Sequence, residues 1–166
     1  MSSKENQYEL LINKTITEII DLALTDKRVN QLIKDPNLWI FLLKRDYGID
    51  YDGSSVINTY INGLLIDIVN LLDRSSEICR RVLRINPMNQ LWINLLIAFT
   101  SKSELFRKYI EIKPFKGNNE RTPNIVIIVK ALAKIEELTL KTKKLAENTG
   151  IDIKDINEPK SKYYKT

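Results

Sequence analysis

Residues 35–48 read DPNLWIFLLKRDYG, and the fold of the chain is read outward from them. Asp35 is a good helix cap, and Pro36 suits the first helical position, where a missing N–H costs nothing. Apolar side chains then recur at helical spacing from Leu38 to Tyr47, and Gly48 stands where a helix C-terminus wants a left-handed residue. The stretch thus holds a start, a body and a stop. A tryptophan one step into a helix after a proline turn buries a large ring and pins the turn to the preceding helix. Trp39 is therefore expected in the core.

Upstream, Thr15 or Thr17 can cap a first segment, with Glu18 near the first turn where the helix dipole favours a carboxylate. Ile16, Ile19, Ile20, Ala23 and Leu24 keep helical spacing, TDKR breaks it, and Val29, Leu32 and Ile33 resume it. This predicts one helix or two short ones meeting at residues 25–27. Residues 1–7 are polar and expected to fray.

Downstream, IDYDGSS is a loop. A long helix with a broad apolar face follows through Val56, Ile57, Tyr60, Ile61, Leu64, Leu65, Ile68, Val69 and Leu72. Gly63 within it lowers local helix propensity and marks a close helix crossing. SSEICRRVLR is expected as a separate short helix capped at Ser75 or Ser76, INPMNQ as a turn and LWINLLIAF as a buried helix. SKSELFRKYIEI gives one more helix, capped by Ser101 or Ser103 and stopped before Pro114, and KPFKGNNERTP is a loop. A final helix runs from Pro123 to about Asn148, with Ile125, Ile128, Val129, Leu132, Ile135, Leu138 and Leu145 inward and Gly150 ending it. NIVIIV could open as a strand, but no second strand pattern exists to pair with it. The expectation is all-α: a single compact helical domain of about six to seven helices. Residues 8–50 form an N-terminal helical motif, 54–150 a bundle packed on it, and 151–166 a polar basic tail open to disorder.

With 166 residues, 43% apolar and 28% charged, the chain suits one ordinary soluble domain. No uninterrupted apolar run approaches the roughly 18 to 20 residues that span a bilayer, and MSSKENQYEL lacks a secretory h-region. These features predict an intracellular, cytoplasmic protein with no membrane partner. Cys79 is the only cysteine, which excludes an intramolecular disulfide and a cysteine-based zinc cluster and leaves a small core residue. Histidine is absent, and with it the usual general base and the commonest imidazole metal ligand. None of the five glycines sits in a phosphate-cradling loop. No enzyme, cofactor or metal is expected. The formal charge of +5 leans toward an acidic partner or surface.

Two stretches can be laid over each other: IIDLALTDKRVNQLIKDPNLWIFLL from Ile19 and IVNLLDRSSEICRRVLRINPMNQLWINLL from Ile68. Both run from an apolar helix through a charged break and a short amphipathic helix to a proline turn, Leu-Trp and a Leu-Leu pair. Trp39 and Trp92 occupy equivalent places. Either one supersecondary unit is used twice, or one solution for a helical turn has arisen twice.

The run ALTDKRVNQLIKDPNLWIFLLKRDYG resembles the second half of an F-box. Its elements are Ala23-Leu24, Lys27-Arg28, Val29, Leu32-Ile33, Asp35, Leu38-Trp39 and Arg45-Asp46-Tyr47-Gly48, and the resemblance covers roughly residues 10–48. The family's Leu-Pro opening is reduced here to YELLINK at Tyr8 to Lys14, and no substrate-capturing repeat follows. In this the chain is similar to the short, Ile/Asn/Lys-rich F-box-like proteins of giant DNA viruses.

The resemblance implies a non-enzymatic adaptor or scaffold that binds a Skp-type subunit of a cullin ubiquitin ligase. Leu22, Leu24, Val29, Leu32 and Leu38 would supply an apolar patch, rimmed by Lys27 and Arg28. The same side chains could instead face the domain's own core. Two other readings stand beside it: a viral structural or assembly protein that uses the helices only as a packing unit, and a small basic nucleic-acid-binding protein. For the last, Arg80, Arg81 and Arg84 lie within about one helical turn of each other, while Lys102, Arg107 and Lys108 make a second group. Lys141, Lys143, Lys144 and the tail KSKYYKT make a third basic region.

Overall fold

The computed structural model describes residues 8–53, 55–111 and 125–156, and among them every regular element is a helix. In chain order these are α1 (Ile16–Ala23), α2 (Lys27–Leu32), α3 (Pro36–Tyr47), α4 (Val56–Ile85), α5 (Gln90–Glu111) and α6 (Ile125–Asn148). The all-α expectation holds, and NIVIIV is helical where it is described. The fraying expected at 1–7, the loop expected at KPFKGNNERTP and the tail KSKYYKT lie outside the described residues.

Local signals place the early helices where they were expected. Thr15 forms a capping box, its side chain accepting from the Glu18 N–H while the Glu18 carboxylate accepts from the Thr15 N–H. That bonding holds the Glu18 carboxyl below the usual carboxylate range. Asp26 caps α2 and Asp35 caps α3 with Pro36 at its start, while Gly48 closes α3 at φ 67°. The break between α1 and α2 is real, so the segment is two helices. Asn30 closes the corner by donating to the Ala23 carbonyl at 3.1 Å.

The second half departs from expectation in one repeated way. SSEICRRVLR is not a separate helix, because α4 runs unbroken for 30 residues. Its inward stripe stays in phase through Leu64, Ile68, Leu72, Cys79 and Val82, and the buried Ser75 and Ser76 need no helix start to satisfy them. Their hydroxyls donate to the Leu71 and Leu72 carbonyls at 3.0 Å, and Ser75 also reaches the Thr139 hydroxyl of α6 at 3.0 Å. Likewise LWINLLIAF and SKSELFRKYIEI are one helix: Ser103 is buried mid-helix and donates to Asp73 of α4 at 2.7 Å. Arg107 pairs with the same carboxylate, tying α5 to α4.

Helix α4 is the axis of the molecule. α5 returns antiparallel beside it after a short turn, α6 runs alongside it, and α3 crosses its first half. It is long and apolar enough to cross a membrane, but more than half of its most apolar window is buried in the protein. The crossing of α3 occurs at Gly63, as the glycine suggested. A Cβ there would stand 2.7 Å from the Tyr47 ring.

The ending Arg45-Asp46-Tyr47-Gly48 is a set of structural fasteners. Arg45 donates to the Leu11 and Ile12 carbonyls at 3.0 and 3.2 Å and forks onto Asp46 at 2.7 and 3.1 Å. Asp46 also accepts from the Tyr60 hydroxyl, and Tyr47 donates to Asp67 at 2.8 Å. Edge-on rings join Trp39 to Tyr60 and Tyr60 to Tyr47 at 5.3 and 5.2 Å. The Trp39 indole N–H donates to the Ile33 carbonyl at 2.7 Å, so the ring pins the turn as expected.

Two expectations about the C-terminal part change. Leu145 faces outward, and Thr139, Thr142 and Ala146 take the inward positions of the last helix. The tail is packed at its start: Ile153 and Ile156 are buried, and Arg81 of α4 grips Asp155.

Candidate partner-binding surface

The residues singled out for partner binding divide by depth. Val29, Leu32 and Leu38 belong to the core, where α2 and the start of α3 turn them inward. Leu22 is half-buried against that core. Leu24, Lys27 and Arg28 face solvent, and Leu24 is 55% exposed. The apolar patch expected from the sequence is therefore mostly closed, because α1 and α2 fold against each other and spend their shared stripe on the core.

What stays open is the α1–α2 corner. Leu24 ends α1 in right-handed helical geometry, so the chain turns immediately after it and leaves the side chain at the bend. The Thr25 hydroxyl donates back to Leu22 at 3.4 Å, and Asp26 accepts from the Arg28 and Val29 N–H groups at 2.8 and 3.4 Å. A shallow hollow of about 410 Å³ lies here, lined by Leu24, Lys27, Asn30, Gln31 and Lys34 among others. Arg28 lies 3.8 Å from Asp26, an exposed pair that contributes little to stability. Lys34, in the turn just past the end of α2, also lines the rim and was not among the expected contact residues.

Several of the cations considered for anion binding are engaged within the fold. Arg81 reaches Asp155 at 2.7 Å, Glu77 at 3.3 Å and the Asp152 carbonyl at 3.4 Å, so it fastens the tail to α4. Its hydrogen bonds to Asp155 raise the guanidinium pKa further and hold the Asp155 carboxyl below its ordinary value. Arg84 is well exposed and 3.9 Å from Glu77. Arg80 is exposed on the same helix, Lys141 pairs with Glu137 at 3.1 Å one turn away, and Lys144 is exposed further along α6.

A second hollow, of about 330 Å³, lies between α1, α3, α4 and α6 and is lined by Asp46, Tyr47, Tyr60, Asp67 and Glu136 among others. No local sequence pattern marks this group, because its members come from three separate helices. Its carboxylates are acceptors for structural donors, Asp46 for Arg45 and Tyr60 and Asp67 for Tyr47, which makes the group a joint between helices. Cys79 is buried, and burial pushes its thiol up to about 12, so it stays protonated at neutral pH. Among the described residues no three His, Cys, Asp or Glu side chains gather as a metal ion would need. Comparison of the chain with protein-family models, with curated proteins and with solved structures finds no match.

Proposed function

We propose that the chain is a non-enzymatic protein-interaction module, an F-box-like adaptor or scaffold whose contact surface is the α1–α2 corner. The observation that carries this reading is Leu24, 55% exposed beside the hollow that Lys27 and Lys34 line. An exposed aliphatic anchor with a cationic rim suits an acidic partner: the anchor supplies buried area and the rim steers the encounter. The resemblance of residues 10–48 to an F-box supplies the class of partner, a Skp-type subunit of a cullin ubiquitin ligase.

A pull-down of a purified Skp-type adaptor tests it. The wild type should retain the adaptor, and Leu24→Asp should lose most of it. Lys27→Glu with Arg28→Glu should weaken capture and remove its salt dependence. All three positions face solvent, so the variants should keep the wild-type helical circular dichroism. No capture by the wild type, or equal capture by a folded Leu24→Asp variant, would defeat the reading.

A further inference from the structure

The turn between α4 and α5 carries apolar side chains that nothing among the described residues covers. Ile85 is 74% exposed, Met88 85% and Leu91 55%, and they fall at the last residue of α4, within the turn and near the start of α5. The turn is short and held by its own backbone and side chains: Asn89 N–H donates to the Asn86 carbonyl at 3.2 Å, and the Asn89 side chain accepts from Trp92 N–H at 3.5 Å. The side chains are thus presented on a firm support, with Trp92 buried beneath them.

The charge around this tip has one sign along the chain. From residue 78 to residue 103 the sequence holds Arg80, Arg81, Arg84 and Lys102 and no aspartate or glutamate. Arg81 is committed to Asp155, whereas Arg80 is exposed and Arg84, 3.9 Å from Glu77, keeps most of its side chain in water. The tip is therefore apolar at its end, with Arg80 and Arg84 exposed on the α4 side just behind and Glu77 and Asp155 gathered at Arg81.

From this juxtaposition we infer that the α4–α5 tip seats on an anionic lipid surface, with Ile85, Met88 and Leu91 entering the interface and Arg80 and Arg84 meeting the headgroups. The end of a helical hairpin is convex. A bilayer interface accepts a convex apolar wedge and rewards both the buried area and each nearby cation. The contact is distinct from the α1–α2 corner, so either surface can fail without the other.

The test is co-sedimentation of the full chain with vesicles of phosphatidylcholine alone and of phosphatidylcholine mixed with phosphatidylserine. Binding should appear on the mixed vesicles, be far weaker on the uncharged ones, and fall as salt rises. Arg80→Gln with Arg84→Gln should weaken it roughly 25-fold, about fivefold for each cation near the surface. Ile85→Ser with Met88→Ser should weaken it at least about tenfold, and both variants should keep the wild-type melting curve because the residues are exposed. A Met88→Cys variant labelled with a polarity-sensitive dye gives a second readout, since Cys79 is buried and protonated and the label goes to position 88. Its emission should shift to the blue on mixed vesicles. Absence of binding to mixed vesicles, equal binding to uncharged ones, undiminished binding by the Ile85/Met88 variant, or an unshifted label on bound protein would each overturn the inference.

Discussion

The two Leu-Trp turns of this protein are close to each other in sequence and unlike each other in setting. In the first, Ile33 to Trp39, the turn is roofed. Leu38 is buried beside Trp39, Leu42 and Leu43 are buried one turn on, and the segment around Leu11 lies over α3 under the grip of Arg45. In the second, Ile85 to Trp92, only the tryptophan is buried, while Ile85 and Leu91 face solvent and Leu95 and Leu96 are half-buried. The difference teaches that the motif specifies a ring against the preceding helix and nothing more. Whether its leucine is core or surface depends on whether another segment of chain is available to lie over it. For the first turn the segment from Tyr8 to Ile12 provides that cover, with Tyr8 stacked on Phe41 and donating to Asp35 and with Arg45 holding the Leu11 and Ile12 carbonyls, and for the second nothing among the described residues does.

The sharpest way to break this comparison is to remove the rings. Trp39→Ala should cost about 3–5 kcal/mol of unfolding free energy, since it empties a core site and strands the Ile33 carbonyl that the indole N–H satisfies. Chemical denaturation measures it, and a loss below about 1 kcal/mol would mean that the turn is held by something other than its ring.

Next come the paired leucines. Leu38→Ala should cost about 2–5 kcal/mol, while Leu91→Ala should change stability by no more than about 0.5 kcal/mol. Equal costs in the same denaturation experiment would show that the two turns are covered alike.

Gly63→Ala sharpens the same contrast at the helix crossing that supports the first turn. Alanine gains about 1 kcal/mol in helix propensity over glycine. The added methyl, however, meets the Tyr47 ring, whose hydroxyl is tied to Asp67 and which packs edge-on against Tyr60. Overpacking of this kind costs about 1–3 kcal/mol, so the net change should be a small destabilisation. A more stable variant would mean that the ring can give way.

The smallest expected effect lies at the far end of α4, where the tail is fastened. Asp155 has its folded pKa depressed below the ordinary 3.8 by Arg81. A group of this sign contributes stability above its unfolded pKa and loses it as pH falls through the folded value. Attachment of residues 151–156 should therefore weaken below about pH 4, and Asp155→Asn should remove that step. Amide exchange of Ile153 and Ile156 across this range reads it, and an unchanged acid response in the variant would assign the step to another carboxylate.

The caps were legible because they are local. Thr15, Asp35 with Pro36, and Gly48 each act on backbone groups within a few residues, so the sequence pattern carries the whole cause. The serines misled for the same physical reason in reverse. A Ser in a helical pattern can cap a new start or bond back to the carbonyl four residues earlier, and the choice at Ser75 and Ser76 rests on α6 lying across them. Ser103 turned on a neighbour in the same way, through Asp73 of α4. At the candidate surface, Lys27 and Arg28 were readable as exposed cations. The apolar members were not, since Leu24 and Leu32 are alike in the sequence and part company only when α1 and α2 close on each other.

The sequence by itself determined that every regular element among the described residues is a helix, where its first helices begin and end, and that both tryptophans are buried. Short-range hydrogen bonding and the period of the apolar residues are enough for that. Only the tertiary structure decided that the helices after Gly48 merge into longer ones, that Arg45 to Gly48 is a joint, and that Leu24, Ile85, Met88 and Leu91 remain in water. Those outcomes depend on which distant surfaces meet, and apolar side chains carry no label for the partner that covers them.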